Sequence, residues 1–277
     1  MQENHKGTLM AVISAVSWSF TGLLGRLVGW NVISVVGVRS LIAALLLGLA
    51  RGGYRIRPGK GTLLGSAGVA LTTMFYFLAL PFTSAANAIV LQYAMTGFVI
   101  LFCWLFLRQR PSRADLITAA VVMLGVVLCS LQGMRSGTLL GDFFALLSAV
   151  SFSMVFFCAR MPDTRPEDYA YLGNAFAAAL SVYVFFDPAV GARAVDWLYI
   201  LLIGLGQTGG YFFLCRATRK ASSPLAVALT INIEPVLNPM WVFLFLGEKP
   251  GWLTFVGAAV VLGAVTVYSI RGAKKSE

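Results

Sequence analysis

Long apolar runs alternate with short polar, charged or Pro- and Gly-rich breaks along the whole chain. An α-helix rises about 1.5 Å per residue, so about 20 apolar residues cross the hydrocarbon core of a bilayer. Dividing the chain at its breaks predicts ten helical spans of about that length. Their predicted bounds are 8–28, 32–50, 62–80, 85–107, 115–131, 140–159, 169–186, 197–215, 224–246 and 252–270.

The junction between the third and fourth spans is the least marked, because Leu80-Pro81-Phe82-Thr83-Ser84 carries no charge. Without a break there, the apolar run from Leu63 to Leu107 would be about twice as long as a bilayer accepts. We therefore place a turn at this junction.

The composition excludes a soluble protein. Of the 277 residues, 58% are hydrophobic and 12% are charged, whereas about 25% of the residues of a soluble domain are charged. The basic residues lie between apolar runs and not in one patch with interleaved aromatics, so the expected partner is the lipid bilayer and not nucleic acid. The four cysteines lack the close pairing of zinc or redox motifs, and the sole histidine is His5, so we predict no metal or cofactor.

The distribution of Lys and Arg predicts the orientation. If both termini are cytoplasmic, the inner segments hold 16 of these residues, the outer segments hold four, and Arg39 alone lies within a span. Cytoplasmic loops of membrane proteins are enriched in Lys and Arg. The pattern predicts a multi-pass protein with both termini inside, and the Ala, Gly and Arg usage favours a bacterial cytoplasmic (inner) membrane. We expect the first span to be retained, since no cleavage site follows it.

An internal repeat relates the two halves of the chain. Ser14-Ala15-Val16-Ser17-Trp18-Ser19 recurs as Ser148-Ala149-Val150-Ser151-Phe152-Ser153, and Leu107-Arg108-Gln109-Arg110-Pro111 aligns with Leu246-Gly247-Glu248-Lys249-Pro250. Five spans separate the copies. Because five is odd, the halves cross the membrane with opposite polarity, as in many secondary carriers. Chance similarity between apolar segments is the alternative explanation.

Several motifs of the second half stand close to its end, and one further motif lies in the second span. They are Ala221-Ser222-Ser223-Pro224, Ile233-Glu234-Pro235-Val236, Phe245-Leu246-Gly247-Glu248, Gly257 and Gly263, with Arg39-Ser40-Leu41-Ile42-Ala43-Ala44-Leu45 in the second span. These motifs resemble the closing signature and the second-span pattern of the EamA-like family in the drug/metabolite transporter superfamily. The resemblance implies an all-α membrane protein with ten transmembrane helices as two inverted five-helix repeats, here residues 1–135 and 136–277. It also implies alternating access through a central cavity lined mainly by spans 1, 3, 4, 6, 8 and 9.

The first half departs from this family pattern. Met95-Thr96-Gly97 and Arg108-Gln109-Arg110 replace the Glu-Pro and Gly-Glu elements of the second half. Any role of those elements is therefore carried over only to the second half.

Glu234 is the one acidic residue near the middle of a predicted span. An ionised carboxylate at that depth costs at least about 2.5 to 3.5 kcal/mol. Arg39 is the only basic residue within a span. In one interpretation the two form a buried ion pair that joins the halves. In the other, Glu234 binds a cationic group of the substrate or accepts a coupling proton. A separate structural role for each residue is the third alternative.

Polar residues share one face of the ninth span with Glu234. Thr230, Asn238 and Trp241 lie four residues before, four after and seven after it, which is helical spacing. A polar face with an aromatic residue suits a cavity better than lipid, so we include these residues among the candidates for substrate binding.

Pro235 and Pro239 predict a bend in the same span, since each lacks an amide hydrogen and disturbs the bond to the carbonyl four residues earlier. Two interpretations stay open, a moving hinge and a static kink of the kind common in membrane helices.

The remaining candidates for substrate binding are aromatic and amide side chains at matching depths. Each aromatic residue could instead pack in the core or lie at the membrane interface, and each amide could form an interhelical hydrogen bond. These candidates are Trp18 and its repeat counterpart Phe152, Tyr76, Asn87, Gln92, Tyr93, Gln207 and Tyr211, with Asn174 as the repeat counterpart of Arg39.

The predicted function is secondary-active transport of small organic metabolites, such as amino acids, amines, quaternary ammonium compounds or related amphiphilic solutes. An aromatic cavity with few charges favours these solutes, whereas a polyanion would need several arginines. A facilitative uniporter or exchanger is the alternative. An intramembrane enzyme would draw on clustered His, Asp or Glu residues, and a channel on a continuous polar lining, and the sequence offers neither.

The fifth and tenth spans differ from the others in their small residues. The run Gly257-Ala258-Ala259-Val260-Val261-Leu262-Gly263 is typical of helices that pack closely. We assign these two spans to a scaffold, or to the contact of a homodimer if the protein is not a monomer.

Overall fold

The computed structural model describes residues 2–56, 59–83, 85–131, 138–162, 164–221, 223–247 and 251–274. All regular secondary structure in these residues is helical. The predicted boundary between the halves, at residues 135 and 136, lies outside the described residues. Ser222 and residues 248–250, which belong to the motifs discussed above, also lie outside them.

Each predicted span falls on one helix or on two consecutive helical segments. The helices in chain order are α1 (Gln2–Leu27), α2 (Val32–Ala50), α3 (Lys60–Ala79), α4 (Ala85–Tyr93), α5 (Met95–Leu107), α6 (Arg113–Ser130), α7 (Leu139–Cys158), α8 (Pro166–Ala177), a 3₁₀ segment (Ala178–Phe185), α9 (Val195–Lys220), α10 (Pro224–Ile231), α11 (Glu234–Leu246) and α12 (Trp252–Lys274).

Seven of these helices or pairs are long and apolar enough to cross a membrane, counted within the described residues. They are α1, α2, α3, α7 and α9, together with the pairs α4–α5 and α10–α11, and α12 adds a shorter apolar stretch, Trp252–Tyr268. Large apolar side chains such as Leu124, Leu244 and Phe245 lie exposed on the outside of the bundle, where lipid would cover them. The protein is therefore an all-α membrane protein.

Three predicted spans are not single helices, and one of them is the ninth, which is divided into α10 and α11. The fourth span is divided into α4 and α5 at Ala94, and the seventh continues from α8 as the 3₁₀ segment. A 3₁₀ helix is narrower than an α-helix, and this one lies directly on the backbone of α2. A Cβ atom added to Gly37 would lie 2.1 Å from the amide nitrogen of Ser181. The glycine is thus required by the close approach of two backbones.

The helices of the first half pack mainly on helices of the second half. α1 packs on α9 and α3 packs on α7, while α2 contacts the 3₁₀ segment and α6 contacts α12. In terms of predicted spans, these pairs are 1 with 8, 3 with 6, 2 with 7 and 5 with 10. If each span is replaced by its repeat counterpart five spans away, the same four pairs result. The small residues of α6 and α12 are used in the last of these contacts, since Gly125 lies against Gly257 and Val261.

The repeated serine motif has the same structural role in both halves. The hydroxyl of Ser14 in α1 donates to the carbonyl of Gly210 in α9 at 2.7 Å, and the hydroxyl of Ser148 in α7 donates to the carbonyl of Thr72 in α3 at 2.8 Å. Each bond joins the first helix of one half to the third helix of the other. The later serines of each copy donate to carbonyls three or four residues earlier.

Asp187 connects the end of the seventh span to the start of the second. Its carboxylate accepts from the N–H of Asn31 at 2.8 Å, from the hydroxyl of Ser34 at 2.7 Å and from the N–H of Ala189 at 3.0 Å. Burial by itself would raise the pKa of this carboxyl, but the hydrogen bonds from Ser34, Ala189 and Asn31 outweigh it and lower the pKa below its ordinary value. The ionised form therefore holds this end of the helix pair.

Arg51 and Asp168 connect the same two spans at the opposite end. Arg51 follows α2 and forms an ion pair with Asp168 in the first turn of α8. The two side chains are 10% and 6% exposed. Arg51 also donates to the carbonyl of Gly53 at 2.6 Å. The second and seventh spans are thus fixed to each other at both ends.

Candidate functional site

The fourth span is interrupted at Ala94 by a single tight turn. The N–H of Ala94 donates to the carbonyl of Leu91 at 3.1 Å, and the carbonyl of Ala94 accepts from the N–H of Gly97 at 2.9 Å. Both bonds join residues three apart, the 3₁₀ pattern that interrupts an α-helix. No proline marks this position in the sequence.

The ninth span is interrupted in the same way at Ile233. Its N–H donates to the carbonyl of Thr230 at 3.1 Å, and its carbonyl accepts from the N–H of Val236 at 3.1 Å. The register that aligns Leu107 with Leu246 also aligns Ala94 with Ile233. The interruption lies at the position for which the sequence predicts a bend, with Pro235 in the first turn of α11 directly after it and Pro239 inside the helix. Whether the bend moves stays a prediction.

Glu234 is the first residue of α11, and the start of a helix is the end at which negative charge is stabilised. The hydroxyl of Tyr93, the last residue of α4, donates to Glu234 Oε2 at 2.7 Å. This hydrogen bond joins the two interrupted spans. Glu234 is enclosed by protein atoms and yet retains some accessible surface, while Tyr93 is buried.

Asn232 and Thr96 join the two interruptions a second time. The amide of Asn232 donates to the hydroxyl of Thr96 at 3.0 Å and to the carbonyl of Ala228 at 2.7 Å. Asn232 is fully buried, and the Oδ1 atom of its side-chain amide has no hydrogen-bond partner in the described structure. Neither residue is among the candidates predicted from the sequence. The repeat register would have identified Asn232, because it aligns this residue with Tyr93.

Arg39 lies in α2, inside the bundle, and its guanidinium lies over the ring of Phe77 with 5.5 Å between the guanidinium carbon and the ring centroid. Its Nε is buried and has no hydrogen-bond partner among the described residues. No nitrogen–oxygen contact of 4.0 Å or less joins it to Glu234 in the described structure, so the two residues do not form the ion pair that was one of the alternatives.

Tyr76 and Tyr211 complete the surroundings of the two charges. Both lie close enough to Arg39 and to Glu234 to interact with them electrostatically. Tyr211 is buried, whereas Tyr76 is partly accessible. The structure thus brings together five of the residues that the sequence predicted, two of opposite charge and three tyrosines. We call Arg39, Tyr76, Tyr93, Tyr211 and Glu234 the central cluster.

An aromatic wall adjoins the central cluster. Trp18 meets Phe152 edge to face with 5.9 Å between ring centroids, and it meets Tyr211 in the same geometry at 5.1 Å. A Cβ atom added to Gly210 would lie 2.1 Å from Nε1 of Trp18, so the glycine makes room for the indole. The two members of the repeat pair, Trp18 and Phe152, therefore face each other across the boundary between the halves.

The amide candidates have hydrogen-bond partners within the protein and so hold helices together in this structure. Their amide nitrogens donate as follows: Asn87 to Asp142 at 2.6 Å, Gln92 to Ser148 at 2.7 Å, Gln207 to Asn174 at 3.3 Å, and Asn174 to the carbonyl of Ala170 at 2.8 Å. Contact of these residues with a substrate stays a prediction.

The face of the ninth span that was predicted to line a cavity divides between two environments. Trp241 donates to the hydroxyl of Ser19 at 2.8 Å and stacks on Phe20, and Asn238 lies against Gly22, so both pack on α1. The hydroxyl of Thr230 donates to a carbonyl within α10. Of that face, Glu234 alone belongs to the central cluster.

The described residues contain no group of three or more His, Cys, Asp or Glu side chains placed to hold a metal ion. The central cluster offers instead one cation, one anion and several aromatic rings. That arrangement is suited to binding an organic solute.

Comparisons with known proteins assign a family to the chain. The EamA-like transporter family matches residues 5–131 and again residues 139–270. The chain is 29% identical to the pseudopaline exporter CntI of Pseudomonas aeruginosa, with 95% of each chain covered. It is 24% identical to the aromatic amino acid exporter YddG of Ancylobacter novellus, with 80% of this chain and 81% of that protein covered.

A solved crystal structure has a similar fold, with a TM-score of 0.80 at 21% identity over 99% of this chain and 100% of that one. Because the family matches the chain twice, over most of each half, the assignment does not rest on any single relative. The chain belongs to the EamA-like transporter family, and its relatives are transporters of the drug/metabolite transporter superfamily.

Proposed function

We propose that this protein is a secondary carrier that moves small organic metabolites by alternating access, with the central cluster as its substrate site. The observation that carries the proposal is the pair Arg39 and Glu234, which lie inside the bundle without pairing with each other. Charges inside a membrane protein are expensive and usually mark a transport pathway. Carriers bind their solutes near the middle of the membrane, beside interrupted helices.

The halves are two inverted five-helix repeats, residues 1–135 and 136–277, that form a bundle of ten transmembrane helices. Three observations support this arrangement. Ser14 and Ser148 form equivalent bonds, Ala94 and Ile233 form equivalent interruptions, and the family matches the chain twice. The excess of Lys and Arg in alternate loops supports cytoplasmic termini in a bacterial inner membrane.

Glu234 is the residue that couples transport to protons or binds a cationic group of the solute. In its ionised form it accepts the hydrogen bond from Tyr93, and protonation would remove the charge that favours this bond. A facilitative uniporter or exchanger is the second candidate mechanism, in which Glu234 binds solute without a proton. The names of the relatives CntI and YddG support export as the direction of net flux.

Transport assays with purified protein in sealed proteoliposomes test the proposal. We expect saturable uptake of at least one solute from a panel of amino acids, amines, quaternary ammonium compounds and nucleosides. Glu234→Gln should insert and fold normally but change the pH dependence of transport. Glu167→Gln is the matched control, because Glu167 pairs with the exposed Arg219 outside the central cluster.

The outcomes separate the two mechanisms. A Glu234→Gln variant whose uptake is weaker than that of wild type, but depends on pH in the same way, would favour the uniporter. Uptake that matches wild type at every pH would refute the role of this carboxylate in both mechanisms. Absence of saturable uptake for every solute in the panel would contradict the carrier itself.

A further inference from the structure

A cavity lies outside the central cluster, at the end of the bundle that we assign to the cytoplasm. Its volume is about 110 Å³, and it lies between the end of α5, the starts of α6 and α10 and the last turns of α12. Its lining is polar on one side and apolar on the other. The polar residues include Gln109, Arg110, Asp115, Ser223 and Tyr268, and the apolar ones include Ile100.

The basic side of this cavity comes from a segment in which the first half departs from the family pattern. Arg108-Gln109-Arg110 stands where the second half has Gly247-Glu248-Lys249. Arg108 has a φ of 54°, whereas every other positive φ in the described residues belongs to a glycine, including that of its counterpart Gly247. A side chain is unfavourable in this left-handed conformation. The chain thus keeps a basic turn at a position where glycine suits the backbone better.

The opposite charge in the cavity is Asp115, in the first turn of α6. Its Oδ1 accepts from the hydroxyl of Tyr268 at 2.9 Å and its Oδ2 from the N–H of Ser112 at 2.8 Å. A carboxylate accepts about four hydrogen bonds, so Asp115 has capacity for a further donor. No nitrogen–oxygen contact of 4.0 Å or less joins it to Arg110 in the described structure. Two opposite charges therefore line one cavity without pairing.

The lining changes from polar to apolar with depth in the membrane. Ile100 lies seven residues before Leu107, the last residue of α5, and so roughly 10 Å deeper at 1.5 Å per residue. On the outside of the helices that form the cavity, Trp104 on α5, Ile117 on α6 and Ile270 on α12 are exposed where lipid would cover them. The cavity thus lies where the headgroups of a bilayer meet its hydrocarbon, and it suits an amphipathic ligand.

The volume and the charges select the class of ligand. A cavity of about 150 Å³ accommodates benzene, so this one admits a headgroup but not a whole amphiphile. A phosphate can accept from Arg110 and Gln109, and a primary ammonium can donate to Asp115. A headgroup with a phosphate alone would place its charge beside Asp115, and a trimethylated ammonium has no N–H to donate.

We propose that this cavity binds the headgroup of a phosphatidylethanolamine molecule from the cytoplasmic leaflet, with its phosphate on Arg110 and Gln109 and its ammonium on Asp115. The acyl chains would lie on the exposed apolar side chains of α5, α6 and α12. Such a lipid would connect the interrupted fourth and ninth spans, through α5 and α10, with the packed pair α6 and α12. The site is separate from the central cluster and does not depend on which solute the protein carries.

Three lipids with the same palmitoyl and oleoyl chains test this assignment: phosphatidylethanolamine, phosphatidylglycerol, which lacks the ammonium, and phosphatidylcholine, which lacks the N–H donors. Their binding to delipidated, purified protein at pH 7 is measured by native mass spectrometry. Wild type should bind one molecule of phosphatidylethanolamine at least about fivefold more tightly than either of the others. Equal affinity for phosphatidylethanolamine and one of the other lipids would overturn the assignment.

Charge-removing variants locate the binding site. Arg110→Gln should weaken the binding of phosphatidylethanolamine at least about fivefold, the contribution of one arginine near a membrane surface. Arg113→Gln is the matched control, because Arg113 is equally exposed and lies three residues away but does not line the cavity, and it should bind within about twofold of wild type. Parallel losses in the two variants would indicate general surface charge and overturn the assignment.

Asp115→Asn should remove the preference for phosphatidylethanolamine over phosphatidylglycerol, since asparagine retains an oxygen that can accept from Tyr268 but has no charge for the ammonium. A preference that persists unchanged in this variant would refute the role of Asp115. Variants are compared only after size-exclusion chromatography shows a monodisperse protein. If Asp115→Asn does not fold, the comparison of the three lipids on wild type decides whether the ammonium is recognised.

Glycerophosphoethanolamine, which has the same headgroup without acyl chains, distinguishes a lipid from a soluble ligand. In large molar excess it should leave the complex of wild type with phosphatidylethanolamine intact, because it lacks the apolar contacts. Displacement of the lipid by this compound would assign the cavity to a soluble phosphate with an ammonium group and would overturn the assignment to a lipid.

Discussion

Replacing Gly37 by alanine should force α2 away from the seventh span. A Cβ at this position would lie 2.1 Å from the amide nitrogen of Ser181 and 2.4 Å from the carbonyl carbon of Leu180. Both atoms belong to a backbone, so no side chain can rotate away to relieve the contact. The two segments are also fixed at both ends, by Asp187 and by the ion pair of Arg51.

The size of the effect follows from the distance. Non-bonded heavy atoms are comfortable at about 3.5 Å or more, so the backbones must separate by about 1.4 Å to accept the methyl group. Overpacking of this kind typically costs about 1–3 kcal/mol. At roughly 2–4 °C per kcal/mol for a chain of this size, the apparent melting temperature should fall by about 2–12 °C.

The same displacement should weaken transport, because Arg39 lies two residues beyond Gly37 on the same helix. The assay combines thermal unfolding of purified protein with uptake into proteoliposomes. Gly263→Ala is the matched control, since a Cβ at Gly263 meets nothing within 4 Å and alanine is the better helix former. Equal stability and equal transport in Gly37→Ala and Gly263→Ala would refute the close contact between α2 and the 3₁₀ segment.

Three further substitutions test separate contacts by their effect on the apparent melting temperature. Arg51→Ala leaves Asp168 buried without its partner and should cost about 3–5 kcal/mol, and a variant as stable as wild type would contradict the ion pair. Thr96→Val removes the acceptor for the amide of Asn232 and should cost about 0.5–1.5 kcal/mol, whereas no change would show that the bond between the interruptions is absent. Asp187→Asn should destabilise the protein at neutral pH. Because the folded pKa of Asp187 lies below its unfolded value of about 3.9, its stabilisation is present above that pH and disappears as pH falls through the folded pKa, so the difference from wild type should vanish in acid. A difference that persists unchanged in acid would contradict this assignment.

The spans themselves could be predicted from sequence because a bilayer imposes one length on every crossing helix. The charge-free junction after Leu80 illustrates this, since length alone required the turn that the structure has between α3 and α4. The interruption of the ninth span was visible in Pro235. The interruption of the fourth span was not, because Ala94 has no local signal and its turn is recognised only through alignment with Ile233.

The charged part of the central cluster could also be predicted, because Arg39 and Glu234 stand alone in apolar surroundings. Their separation could not, since hydropathy gives the depth of a residue and not the direction of its side chain. For the same reason Trp241 and Asn238 were assigned to a cavity, whereas in the structure they pack on α1. Helical spacing identified their common face, but not which neighbour covers it.

Accessibility of position 76 from the two sides of the membrane tests alternating access most directly. Single-cysteine variants Tyr76→Cys and Leu78→Cys are made in a transport-competent background without the four native cysteines and treated with a membrane-impermeant thiol reagent in vesicles of either orientation. Tyr76 belongs to the central cluster, while Leu78 lies on the outer surface of the same helix and is 45% exposed where lipid would cover it. Alternating access predicts that the cysteine at position 76 reacts from both sides and the one at position 78 from neither. Reaction at position 76 from neither side, or from one side only, would contradict the central claim.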